Sequence, residues 1–149
     1  MIQHIDVHAV LQESVSGVYA DLVTRPTGRV VRERIERAMA MAQDRVTVAR
    51  IDFTGVGCID YSCADEIVAK LLRDRRAVVV LSGISDGHRE AIEPVLARRG
   101  LAALIEQGGG TGELEALGAP EAAAALLHDL VARRLAVHTS AGTIALTLA

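Results

Sequence analysis

The stretch from Asp52 to Leu72, DFTGVGCIDYSCADEIVAKLL, with the apolar run Ala77-Val78-Val79-Val80-Leu81 just beyond it, constrains the fold most. Val46 to Phe53 is rich in β-branched residues and reads as a strand. Gly55 and Gly57 allow a tight turn, where positive φ or close backbone approach costs little. Ala64, Ile67, Val68, Leu71 and Leu72 then recur at helical spacing. The run at 77–81 is continuously apolar, the pattern of a strand covered on both faces. Strand, helix and buried strand in this order predict a right-handed crossover between parallel neighbours. The expected class is α/β, a mixed β-sheet with helices packed on it.

Ser62 reads as the N-cap of the helix after the turn, in the box S-x-x-D with Asp65. Asp65 and Glu66 fall in its first turn, and Lys70, Arg73, Arg75 and Arg76 at or past its end, so both ends complement the helix dipole. A hydroxyl placed there serves either as a plain cap or as a phosphate acceptor facing free N–H groups. Ser62 is the first candidate acceptor and Tyr61 the second.

Upstream, Ile2 to Leu11 alternates and reads as a strand near an edge, and Val18 to Val23 as a second strand. Thr24-Arg25-Pro26-Thr27-Gly28 turns into a helix capped by Thr27, with Val31, Ile35, Ala38 and Ala42 on its inner face. Arg25 and Arg29 at its start are either part of a solvated basic face or the walls of an anion-facing turn. Downstream, Ser82 to Ser85 is a loop at the carboxyl end of a strand, the side where ligands bind open α/β sheets. Asp60, Tyr61, Ser62 and Ser82 are thereby expected on one edge. A helix runs to Arg99, with a kink or fresh start at Pro94, and Gly100 ends it. Leu101 to Ile105 is a further strand.

Residues 107–112 read as a glycine-rich linker between a domain at 1–106 and an appendage at 113–149. The appendage holds a helix opened by Pro120 and a hairpin turned at Ser140-Ala141-Gly142. It carries Glu113, Glu115, Glu121 and Asp129 against Arg133 and Arg134. That acidic balance favours a packing or homodimer contact over a winged-helix-like DNA-binding tail.

Chain-wide features narrow the function. The 149 residues carry a net charge of −3, which argues against nucleic acid or an anionic membrane as main partner. With 2% aromatic residues and no Trp, the core must be aliphatic. Cys58 and Cys63, spaced C-x4-C without nearby histidines, make a poor zinc set. Cys58 reads as a small core residue. Cys63 as a nucleophile requires a base, for which His88 is the candidate. His4 and His8, if on one strand, lie about 13 Å apart, too far to share a metal. GGGTG at residues 108–112 lacks the Lys-Ser/Thr of a phosphate loop, so neither metal nor cofactor is expected. The N-terminus lacks a signal-peptide pattern and no apolar run reaches membrane-spanning length, so a cytoplasmic location is expected.

The run IDYSCADEIVAKLL, after a strand ending in DFTGV, resembles the signature of the STAS superfamily: strand, Asp, hydrophobic-Asp-Ser-Ser-Gly turn, helix. TRPTGRVVRERIE resembles more specifically a STAS-like group of unassigned role. The resemblance covers residues 1–106. It implies a non-enzymatic regulatory module, similar to anti-sigma-factor antagonists. Such a module presents the Asp60–Ser62 turn and the following helix, with Cys63 and Glu66, to a protein partner of the anti-sigma or histidine-kinase-like ATPase type. Arg25, Arg29 and Ser82 complete the expected surface. In phosphorylated antagonists the acceptor Ser directly follows the Asp; Tyr61 stands there, and Ser62 matches the next Ser. A nucleotide or small-anion sensor at the same strand-end edge is the alternative.

Overall fold

A computed structural model of the chain describes residues 2–14, 20–42, 48–73, 78–107, 112–139 and 142–147. Strand β1 (Ile2–Asp6) leads into helix α1 (Val7–Ser14), followed by α2 (Arg25–Met41) and β2 (Val48–Asp52). Helix α3 (Tyr61–Ala64) continues as a π-helical segment, Asp65–Ala69, and is followed by β3 (Val78–Ser82), α4 (Asp86–Arg99) and β4 (Ala102–Glu106). Then come β5 (Glu113–Gly118), α5 (Pro120–Ala132), β6 (Ala136–His138) and β7 (Ile144–Leu146).

The strands form one seven-stranded mixed sheet in the order β1-β2-β3-β4-β5-β7-β6. The first four are parallel, and β5, β7 and β6 each run antiparallel to their neighbour. The α/β class holds. The sheet does not stop at residue 106: β5 pairs with β4, so 107–112 is a hairpin connection and the C-terminal elements extend the same sheet. The hairpin of β6 and β7 forms as expected, but β7 is bonded to β5, so it is not a free-standing wing.

Register divides the core. Ile5, Ala49, Ile51, Val79, Leu81, Ala103 and Ile105 face one side, with Val31, Ile35, Ile67, Leu71 and Ile92 of the helices. Val48, Val78, Val80, Leu104 and Leu114 face the other, under Leu130 of α5. Because the parallel strands follow one another in space, right-handed crossovers put α2, α3 and α4 all on the first face. The parallel part has no point where the strand order reverses, the place where open α/β sheets hold ligands.

Several local expectations change. The strand from Ile2 ends at Asp6, whose carboxylate accepts from the Ala9 N–H at 3.1 Å and starts α1. Val7 and Leu11, read as one side of a strand, are four apart and equally suit a helix; both are fully buried. His4 and His8 therefore sit on different elements. Of Val18–Val23, residues 18 and 19 lie outside the described residues, and Leu22 makes only a single bridge, to Ile59. Helix α2 is capped by Thr24, not Thr27, because Pro26 needs no N–H partner in a first turn. Helix α4 begins at a Ser85 cap and runs unbroken through the exposed Pro94 to Gly100, at φ +67°. None of the helices among the described residues is long and apolar enough to cross a membrane.

Candidate functional site

The loop from Phe53 to Asp60 is fixed from three directions before it delivers the turn. Phe53 N–H donates to the Ser82 carbonyl at 2.9 Å, and Gly57 N–H to the Ala20 carbonyl at 2.7 Å. Asp21 accepts from Cys58 N–H at 2.7 Å. His88 is 3% exposed and its Nδ1 accepts from Ser85 N–H at 3.1 Å. Its Nε2 therefore carries the hydrogen, and donates to the Gly57 carbonyl at 2.7 Å. Gly55 takes φ +89°, and Gly57 meets the turn reading by close approach instead, since a Cβ there would overlap the Asp21 carboxylate.

Helix α3 is capped by Asp60, which corrects the assignment of Ser62. Asp60 Oδ1 accepts from Cys63 N–H at 2.8 Å and from the Ser62 hydroxyl at 2.7 Å. Both residues are capping types, and the sequence alone does not rank them; the chain enters the helix at Asp60, with φ −93° and ψ 173°. Ser62 is left half-buried in the first turn with its proton on Asp60. Tyr61, at the same turn, is 60% exposed. Bonds from Asp60 N–H to the Leu22 carbonyl (3.0 Å) and from Cys63 Sγ to the Thr24 carbonyl (3.1 Å) tie the backbone on either side of Val23 to the turn. Val23 is 38% exposed.

Cys63 is fully buried. Burial, with the Asp60 carboxylate beside it, pushes its thiol up to about 12. The buried thiol donates to the Thr24 carbonyl and His88 is bonded elsewhere, so neither a lowered thiol pKa nor a neighbouring base activates Cys63 in this arrangement. Cys58, expected in the core, is instead the exposed cysteine, because Asp21 holds its backbone at the surface.

The helix after the turn is not presented to solvent, contrary to expectation. Cys63 through Ala69 are all buried between α2 and α4. Gly28 of α2 is packed so closely that a Cβ there would sit 3.1 Å from Glu66 Cβ and 3.2 Å from Cys63 Sγ. Asp65 and Glu66, expected on the helix dipole, are 6% and 1% exposed. Cations from three elements reach them. Arg25 Nη1 donates to both, at 2.9 Å each. Arg99 Nε lies 2.5 Å from Asp65, Lys70 Nζ 2.8 Å from Glu66, and Arg32 Nη2 3.6 Å from Glu66. Burial alone drives both carboxyls up; the hydrogen bonds from Arg25, Arg99 and Lys70 outweigh it and hold both below the ordinary range. Arg25 thus pairs with two buried carboxylates while its own side chain stays 45% exposed, and Arg29 is exposed and has no ion pair among the described residues.

Ser82 ends β3 beside β2, at the carboxyl edge from which the loop to the turn departs, and its carbonyl accepts from Phe53 N–H. It pairs in register with Asp52, whose carboxylate accepts from Thr54 N–H (3.0 Å) and hydroxyl (2.7 Å). Gly83, at φ +66°, packs so tightly there that any Cβ would overlap Thr54 and Asp52. The turn therefore gathers Asp60, Tyr61, Ser62, Cys63, Arg25 and Glu66, and among the described residues no side-chain hydrogen bond joins Ser82 to them. The roles of Asp60, His88 and Arg99 escaped the sequence reading. One signal was available: Glu66 and Lys70 at i, i+4 mark a helical ion pair.

At the opposite, amino-terminal ends of β3 and β4, α5 borders a cleft of about 440 Å3 lined by Val78, Leu101, Ala102, Ala122 and Leu126. No group of three or more His, Cys, Asp or Glu among the described residues could hold a metal ion. Comparison of the chain with protein-family models, curated proteins and solved structures returns no match.

Proposed function

We propose that this chain is a non-enzymatic regulatory module that docks a protein partner at the Asp60–Ser62 turn, with Tyr61 as its anchor. The observation that carries the reading is a tyrosine left 60% exposed on a rigidly bonded turn. Aromatic side chains are over-represented among the residues that dominate binding, and they act best on a preorganised backbone. Val23 extends the apolar surface beside it. The neutral, buried Cys63 and the fully bonded His88 ring support a role without catalysis. The contact surface comprises the turn and the segment before α2 rather than the buried helix. By the resemblance stated above, the partner is of the anti-sigma or histidine-kinase-like ATPase type.

The test is site-specific photo-crosslinking in host cells. A benzophenone side chain at position 61 should give one discrete adduct, lost on Val23→Ser. The same probe at the exposed Ala124 of α5 should not give it. Identical adducts from both positions would refute the assignment.

A further inference from the structure

Arg25, Lys70 and Arg99 close over two buried carboxylates from outside, and their side chains remain 45%, 31% and 38% exposed. They are close together. Arg25 and Lys70 share one oxygen of Glu66, and Arg25 and Arg99 hold the two oxygens of Asp65. Each arginine spends little of its fork on this work. Arg25 binds both carboxylates through Nη1, and Arg99 reaches Asp65 through Nε. Among the described residues, Nη2 of Arg25 and both Nη atoms of Arg99 donate to nothing else. Arg29, one turn beyond Arg25, adds an exposed cation with no partner among the described residues. With Arg32, four cations meet Asp65, Glu66 and Glu36 at this seam, and Arg29 makes a fifth, against two further acids, Asp60 at the turn and Glu33 one turn beyond Arg29.

Buried acids thus hold the guanidinium groups of Arg25 and Arg99 while their side chains stay 45% and 38% exposed, which leaves N–H donors for a further carboxylate. Val23 and Tyr61 lie at the same end of α2 as Arg25. We infer that the seam between α2, the π-helical segment and α4 is a binding surface for an acidic segment of a protein partner, rich in Asp and Glu. The inference rests on the docking reading above and adds the partner's chemistry to it.

The test uses the full-length protein and a fluorescein-labelled, glutamate-rich peptide containing leucine, followed by anisotropy. Saturable binding is expected, weakening as salt rises from about 50 to about 200 mM. Arg29→Glu, which removes no bond within the described residues, should weaken it about tenfold or more, with an unchanged unfolding midpoint. A lysine-rich peptide of the same length should not bind. Absence of saturable binding, no effect of Arg29→Glu, or tighter binding of a single-stranded oligonucleotide of equal charge would each overturn the inference. Tyr61→Ala separates the two proposals. If it weakens the peptide while Arg29→Glu does not, the docking turn stands and the acidic partner falls. The reverse result keeps the acidic partner and removes Tyr61 as anchor.

Discussion

Removing the Asp60 carboxylate tests the local architecture most directly, because two residues compete on sequence grounds for the same capping role. In the structure Asp60 Oδ1 takes the Cys63 N–H at 2.8 Å and the Ser62 hydroxyl at 2.7 Å. Cys63 is fully buried, so Asp60→Ala leaves its N–H without a partner where water does not replace one. Loss of a cap costs about 0.5–2 kcal/mol, and a buried unsatisfied donor places this site at the upper end, about 2 kcal/mol. Ser62→Ala removes one hydroxyl from a half-buried position and leaves the cap in place, so about 0.5 kcal/mol is expected. Asp60→Asn keeps an acceptor oxygen and should fall between them. For a chain of this length, 2 kcal/mol corresponds to a Tm lower by about 4–8 °C. Urea unfolding followed by circular dichroism, with the slope held constant, measures the three differences. If Ser62→Ala costs as much as Asp60→Ala, the serine is the cap and the description of the turn is wrong.

Three further outcomes follow from the same geometry. Asp65 and Glu66 are held below their ordinary values of 3.8 and 4.5, so the unfolded chain takes up protons first as pH falls. Stability should be level above that range and decline as acid is added through it, and Glu66→Gln should flatten the decline; urea midpoints between about pH 6 and pH 3 check this. Gly28→Ala gains about 1 kcal/mol of helix propensity but forces a methyl against Glu66 and Cys63, which costs about 1–3 kcal/mol. A net loss is expected, and a stabilised variant would show that α2 is not seated on α3 as described. In native protein Cys58 should react with Ellman's reagent at once and Cys63 only after unfolding; immediate reaction of both would contradict the buried, neutral thiol.

The parts of the fold that could be read from residue order are those whose side-chain period has one interpretation. The unbroken apolar run at 78–81 is a buried strand, and the stripe Ile67, Val68, Leu71 is the inner face of a helix. Short segments with two consistent periods were misread: Val7 and Leu11 fit a strand and a helix alike, and only the Asp6 cap decides. The segment 107–112 was read as a linker, and whether such a segment joins domains or neighbouring strands depends on pairing partners distant in sequence; here β5 pairs with β4. At the candidate site the turn lay in one contiguous stretch and was legible; the 60% exposure of Tyr61 was not, because it depends on what packs around the turn. The ion cluster was not, because Arg25 and Arg99 are separated from Asp65 by 40 and 34 positions in the chain.

Local residue chemistry settled which segments form β2, β3, α2 and α4, because hydrophobic spacing acts within a few residues, but it left open which of two neighbouring capping residues starts a helix. The tertiary structure alone decided that Asp65 and Glu66 are buried, that Cys63 is buried against the Thr24 carbonyl and that the C-terminal strands extend the sheet. Each of those depends on what packs against a side chain or strand edge, and the packing partners come from elsewhere in the chain.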